Sequence, residues 1–114
     1  MLNPNLPEPE LIKVLLEPLF EDFHYWLGRA DTFLETETVE FLTMEHQADL
    51  LERVKEALRE VAAAQSLFKA TEGQVGVDPQ VLLTWHQLIS ECWQVMIQFR
   101  LGAAEDGGRT YPNA

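Results

Sequence analysis

Apolar residues recur at intervals of three and four through the segment that follows Thr43, which is the spacing of one face of an α-helix. The members of this face are Leu50, Val54, Ala57, Leu58, Val61, Gln65 and Phe68. Charged residues occupy the opposite face, as expected for a helix that is half-buried in a folded protein. Thr43 can cap the first turn, and Gly73 follows the last one. The pattern therefore predicts an amphipathic helix over 44–72.

The same spacing occurs earlier in the chain and predicts a first helix over 9–35. Pro9 suits its first turn, where the missing N–H costs no hydrogen bond. The apolar face of this helix consists of Ile12, Leu16, Leu19, Phe23, Leu27, Ala30 and Leu34. Pro18 lies inside the pattern, so the helix either begins near Glu17 or bends at the proline. Because the apolar spacing continues in phase across Pro18, we favour the bend.

A third helix is predicted over 79–101, with Asp78 as its cap and Pro79 at its first position. Its inward positions are Leu82, Trp85, Leu88, Ile89, Cys92, Val95, Met96 and Phe99. The run VLLTWHQLISECWQVMIQF (81–99) holds one formally charged residue, Glu91, and approaches the length of a membrane span. Its polar residues share one helical face, however, and such amphipathicity indicates a core helix.

Three long helical patterns with short connections predict an all-α fold, an antiparallel bundle of three helices. Residues 1–101 are predicted to form the single bundle domain. Residues 102–114 lack helical periodicity and are expected to be a flexible tail. The segment 36–43 is rich in β-branched residues, and it either connects two helices or adds a short fourth element.

The chain is strongly acidic, with 19 Asp and Glu against 8 Lys and Arg and a formal net charge of −11. Nucleic-acid binding requires a positive surface that displaces counterions, and docking on anionic lipid requires clustered Lys and Arg. Neither partner is expected. The single cysteine, Cys92, excludes an intramolecular disulfide, and the first residues show no signal-peptide pattern. We therefore expect a cytoplasmic protein that inserts into no membrane.

One short motif offers a chemical alternative, a metal site. Glu21 and His24 are three residues apart, the spacing that di-iron and di-manganese bundles use to project two ligands together. Those bundles need a second such motif and two more inward glutamates, and here a second motif could come only from a dimer partner. The ordinary interpretation is a solvated glutamate beside a boundary histidine, and we expect no bound metal.

No other constellation of residues indicates catalysis or a cofactor. Cys92 lies in phase with core residues, where free cysteines are usually inert, and no serine has a nucleophile context. The glycines after the second helix lack the lysine and the spacing of a phosphate loop. The many aromatic side chains could line a site for a tetrapyrrole or another flat ligand, but the core face offers no axial histidine. We therefore expect a non-enzymatic protein without a cofactor.

Trp93 does not fit the inward stripe of the third helix. It shares a flank with neutral polar side chains, and depletion of charge beside an exposed tryptophan distinguishes interface cores from ordinary surface. The predicted partner-binding residues are His86, Ser90, Trp93, Gln94 and Ile97. An equally weighted alternative is that the segment 36–43 or an N-terminal arm covers this flank, which would make Trp93 part of the core.

Several stretches together resemble a small cyanobacterial family of soluble all-helical proteins of unassigned function. These stretches are MLNPNLPEPELIKVLLEPLFEDFHYW, QADLLERVKEA, FKATEGQVGV and WHQLISECWQV. The resemblance covers residues 1–101 and implies a cytoplasmic setting in a photosynthetic bacterium. It implies no activity, cofactor or catalytic residue.

The leading hypothesis is a non-enzymatic protein–protein interaction module, a small acidic adaptor or assembly factor that could form a homodimer through the third helix. A link to photosynthetic physiology follows from the lineage alone. The alternatives are a metal-binding bundle that uses Glu21 and His24, or a bundle that binds a pigment or another ligand.

Overall fold

The structure, a computed structural model, describes residues 8–110, and within them the side chains of residue 11 and of residues 13–103. These residues form three helices, α1 (Glu8–Thr36), α2 (Met44–Ala70) and α3 (Pro79–Thr110), and no strand. The predicted all-α bundle of three long helices is confirmed. Residues 1–7, which include the N-terminal arm considered above as a cover for Trp93, and residues 111–114 lie outside the described residues.

Each helix buries the face that its apolar spacing predicts. The buried hydrophobic side chains are Leu16, Phe20, Phe23, Leu27, Ala30 and Leu34 from α1, Leu50, Val54, Ala57, Val61 and Phe68 from α2, and Trp85, Leu88, Cys92 and Met96 from α3. The ring of Phe20 packs on Phe68 with centroids 5.5 Å apart, which joins α1 to α2. The ring of Phe23 meets Trp85 edge-on at 5.3 Å, which joins α1 to α3.

Two residues of the predicted α1 face differ from the rest. Leu19 is 38% exposed, because it lies at the edge of the face where α1 meets α3. The side chain of Ile12 lies outside the described side chains. Pro18 is inside α1, which begins well before it at Glu8, so the alternative start near Glu17 is wrong.

α3 begins as predicted but is longer. The Asp78 carboxylate caps it by accepting a hydrogen bond from the backbone N–H of Gln80 at 2.8 Å. The helix then continues to Thr110, past the predicted end at residue 101 and into the predicted tail. Among the described residues, no helix combines the length and the apolar character that crossing a bilayer requires.

The connection between α1 and α2 is a turn, and no fourth helix forms in it. Gln47 of α2 holds this connection by three hydrogen bonds. Its Oε1 accepts from the Val39 N–H at 3.0 Å, and its Nε2 donates to the carbonyls of Leu34 and Glu37 at 3.0 and 2.8 Å. Val39 is only 1% exposed. The side chain of Gln47 therefore satisfies backbone groups that a short helix would otherwise pair internally.

Both ends of α2 are capped by local interactions. At its start, the Thr43 hydroxyl accepts a hydrogen bond from the His46 N–H at 2.9 Å, as predicted. At its end, the Gly73 N–H binds the Phe68 carbonyl at 2.8 Å, and the Glu72 N–H binds the Lys69 carbonyl at 3.1 Å. This pair of bonds is the Schellman arrangement, which places Glu72 in the left-handed region with φ of 53°.

Replacing Glu72 by glycine is expected to raise the free energy of unfolding by about 1 kcal/mol. A residue with a Cβ is strained at this φ, and a carboxylate at a helix C-terminus is unfavourable toward the helix dipole. Urea denaturation followed by circular dichroism measures the change. Glu72→Ala is the matched control, because it removes the charge and keeps the backbone strain. A Glu72→Gly variant no more stable than the alanine variant would show that the backbone conformation is unstrained.

Candidate functional site

An open groove of about 460 Å³ lies between α1 and α3. Its apolar walls are Leu19, Phe23, Trp26, Ile89 and Trp93. Its polar atoms come from Asp22 on α1 and from His86, Ser90 and Gln94 on α3. We call this feature the α1–α3 groove. Most of its lining is apolar and aromatic, with a few polar groups at its edges, which is the usual composition of a binding site.

Trp93 forms the α3 side of the groove and is 41% exposed. Its ring meets Trp26 edge-on, with centroids 5.2 Å apart and planes at 86°. Trp26 in turn meets Tyr25 edge-on at 4.9 Å. The guanidinium of Arg29 lies 5.9 Å from both the Tyr25 and the Trp26 ring centres, and it donates a hydrogen bond to the Tyr25 hydroxyl at 3.3 Å. These contacts fix the orientation of the tryptophan pair while leaving part of it exposed.

The structure brings together four of the five predicted partner-binding residues. His86, Ser90, Trp93 and Gln94 all line the α1–α3 groove, whereas Ile97 lies one turn beyond it and is 39% exposed. The segment 36–43 does not cover them, because Thr38, Glu40 and Phe41 line a different cavity with Phe99 and Gln98. The alternative that this segment buries Trp93 is therefore wrong, and the N-terminal arm lies outside the described residues.

The α1 half of the groove is not among the residues that the sequence predicts for the site. Leu19, Asp22 and Trp26 are spaced by three and four residues, so they share one flank of α1. That spacing was available in the sequence, but nothing in it shows that this flank faces Trp93. The pairing depends on how α1 and α3 are rotated against each other.

The candidate metal ligands are not brought together with further ligands. Glu21 is exposed, while the half-buried His24 donates from Nε2 to the Gln65 Oε1 of α2 at 2.9 Å. Within the part of the chain that the structure describes, no group of three or more His, Cys, Asp or Glu side chains is placed to hold a metal ion. The interaction of His24 therefore joins α1 to α2 in this structure.

Cys92 is a core residue, as its position in the helical pattern predicts. Its side chain is 3% exposed, and burial raises the pKa of the thiol to about 12, with a smaller contribution from the nearby Glu91 carboxylate. The reactive thiolate is therefore scarce at neutral pH.

The cations of this acidic chain are unevenly neutralised. Three cations of α2 each contact two carboxylates: Arg53 pairs with Asp49 and Glu91, Lys55 with Asp31 and Glu35, and Arg59 with Glu52 and Glu56. Hydrogen bonding to Arg53 lowers the pKa of Glu91 below its usual value. Exposed pairs of this kind stabilise a fold by only about 0–1 kcal/mol, so their main consequence here is for surface charge.

Two cations on the groove side of the molecule differ. Arg29 and Arg100 line a second cleft, of about 490 Å³, that follows the groove along the same two helices. Neither forms an ion pair within the described residues. Asp22 in the groove likewise forms no ion pair with any described residue. The α1–α3 side of the bundle thus carries unpaired charges of both signs around an exposed aromatic pair.

Comparison with known protein families matches residues 6–101 to the family described as protein of unknown function (DUF2605). The chain belongs to this family. The prediction that the chain belongs to a family of unassigned function is thereby confirmed. The α1–α3 groove lies wholly inside the part of the chain that matches DUF2605. No curated protein and no solved structure matches the chain.

Proposed function

We propose that this protein is a non-enzymatic protein–protein interaction module, a small acidic adaptor or assembly factor that binds its partner in the α1–α3 groove. The exposure of Trp93 is the observation that carries the proposal. Trp85, on the same helix, is 1% exposed, whereas Trp93 is 41% exposed beside an open apolar groove. Contiguous exposed apolar surface with a polar edge is characteristic of sites that bind other macromolecules.

The arrangement of the groove supports binding in two ways. The Trp26–Trp93 contact orders both rings before a partner arrives, so little side-chain entropy remains to be lost. The neighbouring Ser90 and Gln94 offer hydrogen-bond donors and acceptors without a formal charge that would have to be desolvated, and the ring nitrogens of His86 add further hydrogen-bonding groups. Ordered tryptophans at the centre of a contact surface typically contribute most of the binding free energy.

The proposed setting is the cytoplasm of a cyanobacterium, with a role linked to photosynthetic physiology. The resemblance of the N-terminal and α3 segments to a cyanobacterial family supports the setting, and the lineage alone supports the physiological link. The partner is another protein or a second copy of this chain, in contact with the exposed flank of α3.

A ligand-binding bundle is the second candidate, because the same groove could hold a flat aromatic molecule. Its volume of about 460 Å³ falls in the range of small-molecule sites, and two tryptophans form part of its wall. The absorption spectrum of protein purified from its native cell separates the two functions. A visible band in stoichiometric amount would favour the pigment carrier over the interaction module.

Trp93→Asp is expected to weaken association at least about 30-fold while leaving the helical content unchanged, because it places a charge at the centre of the contact surface. Analytical ultracentrifugation measures self-association, and affinity capture from the native cell measures partner binding. Leu83→Asp is the matched control, since Leu83 is 45% exposed on the same helix but outside the groove. If both variants bind as the wild type does, the groove is not the contact surface; if Trp93→Asp unfolds the chain, Trp93 is a core residue.

A further inference from the structure

The flank of α3 at the groove has a symmetric pattern about Trp93. Ile89 and Ile97 lie four residues before and after it, and His86 and Arg100 lie seven residues before and after it. In a helix that rises 1.5 Å per residue, the isoleucines are about 6 Å to either side of Trp93, and the outer pair about 10.5 Å. Apolar residues therefore flank the tryptophan at equal distances in both directions.

The flank of α1 has a similar pattern about Trp26. Here the residues on the two sides of the tryptophan carry charges of opposite sign, Asp22 before it and Arg29 after it. Asp22 lies four residues before Trp26 and Arg29 three residues after it, which places them about 6 Å and 4.5 Å to either side. Leu19 and Phe33 lie seven residues before and after Trp26. Asp22 and Arg29 also share one side of the helix, because seven residues make almost two full turns.

α1 and α3 run in the same direction beside each other, so the two patterns coincide. Trp26 contacts Trp93, and Phe33 contacts Phe99 at 5.1 Å further along both helices. Asp22 and Arg29 each lack an ion-pair partner within the described residues. A surface with these properties is complementary to itself when it is turned end over end about the Trp26–Trp93 pair.

We propose, building on the proposed interaction function, that the occupant of the α1–α3 groove is a second copy of this chain. The two copies pack face to face and antiparallel, with the two-fold axis crossing α1 and α3 at the Trp26–Trp93 pair. Asp22 of each copy then lies within about 1.5 Å, along the helix axis, of the level of Arg29 in the other copy. The exposed edge of each Trp93 then lies at the axis, against the Trp93 of the other copy.

This arrangement pairs apolar with apolar residues at the levels of Leu19 and Ile89 and acid with base at the level of Asp22, while His86 of one copy lies level with Arg100 of the other. Leu19 of one copy lies level with Phe33 of the other, and Ile89 lies level with Ile97. A two-fold interface repeats each contact, so the dimer contains two Asp22–Arg29 pairs. Arg29 is already held by the rings of Tyr25 and Trp26, so less side-chain entropy is lost when it pairs.

The net charge of −11 per chain opposes dimerisation, but it acts at longer range than the interface pairs. At physiological ionic strength charges separated by more than about 8 Å are largely screened, whereas ion pairs in contact are screened much less. Three cations of α2, away from the proposed interface, are already paired with carboxylates. The local pattern at the groove therefore decides the association.

A charge exchange across the two-fold axis tests the proposal. We expect the wild-type full-length chain to sediment at twice its mass of 13.1 kDa at high concentration. Asp22→Arg and Arg29→Asp should each raise the dimer dissociation constant on the order of 100-fold, because each replaces two attractions by two repulsions. The double variant Asp22→Arg/Arg29→Asp should restore association to within about threefold of the wild type. Glu21→Arg, which changes the net charge as Asp22→Arg does from a neighbouring exposed position, should not weaken the dimer.

A wild type that stays monomeric at all concentrations overturns the second-copy proposal, and so does a double variant as weak as the single ones. If the wild type is monomeric while Trp93→Asp, but not Leu83→Asp, loses a captured partner, the interaction function stands and only the second-copy proposal fails. A wild-type dimer that is insensitive to Trp93→Asp and to the charge exchange also overturns the second-copy proposal, and the interaction function fails with it when Trp93→Asp leaves partner capture unchanged as well.

Discussion

Trp85→Ala is expected to lower the free energy of unfolding by about 3–5 kcal/mol, the range for truncating a large buried aromatic residue. Trp85 is 1% exposed, packs edge-on against Phe23 of α1, and donates from Nε1 to the Glu60 Oε1 of α2 at 3.0 Å. The substitution therefore leaves a cavity where all three helices meet. Urea denaturation followed by far-ultraviolet circular dichroism gives the free energy for each variant.

Two companion variants separate the contributions to this loss. Trp85→Phe keeps a ring in the cavity and removes the hydrogen bond to Glu60, so a loss of about 1–2 kcal/mol is expected. Trp93→Ala should cost about 1 kcal/mol or less, because Trp93 is 41% exposed and packs mainly on Trp26. Equal losses for Trp85→Ala and Trp93→Ala would contradict the assignment of one tryptophan to the core and the other to the groove.

Cys92 in the native protein is expected to react with disulfide reagents at least about 1,000-fold more slowly than in the unfolded chain. Burial raises the pKa of its thiol from the usual 9.0 to about 12, and each pKa unit lowers the thiolate fraction tenfold. The 3% exposure of the side chain slows the reaction further, because access requires local or global opening. Labelling with an excess of a chromogenic disulfide, with and without denaturant, measures both rates. Comparable rates in the two conditions would show that Cys92 is accessible in the fold.

The same shift makes the stability depend on alkaline pH. The folded-state pKa of Cys92 lies above the unfolded one, so the folded chain retains a proton that the unfolded chain releases. The contribution is fully present below about pH 9 and is lost as the pH rises toward 12, at up to about 1.4 kcal/mol per pH unit for this one proton. Cys92→Ala should decline less steeply over that range. Parallel pH profiles for the two chains would show that the thiol does not titrate differently on folding.

One half of the candidate site, on α3, could be predicted from the sequence, and the other half, on α1, could not. The position of Trp93 off the inward stripe follows from its phase in α3, because residues three and four apart share a face in any α-helix. Its exposure does not follow from the phase, since another segment could have covered it, and the structure shows it to be 41% exposed. The partner flank on α1 does not follow, since Trp26 and Trp93 are far apart in the chain and meet only through the packing of the two helices. Asp22 and Arg29 likewise become part of a proposed interface only because Trp26, which lies between them, contacts Trp93.

Local interactions account for the helices and their caps, which could be predicted from the sequence. Three helices, their buried faces and the caps at Thr43 and Asp78 follow from spacing and from side chains that bond to nearby backbone groups. At the end of α2, both Glu72 and Gly73 have positive φ, although only Gly73 was predicted to end the helix. The hydrogen bonds of the last turn set the backbone conformation there, and residue preference alone does not.

Which helix faces contact each other depends on the packing of the whole bundle. Gln47 of α2 forms hydrogen bonds with backbone groups of residues 34–39, which lie 8 to 13 residues earlier in the chain. These bonds stabilise the connection after α1 without a fourth helix. The groove exists because the α1 and α3 flanks lie side by side without a further element of the described chain to cover them. Helix packing angles and rotations result from the sum of many weak contacts over the whole core, so no short stretch of sequence specifies them.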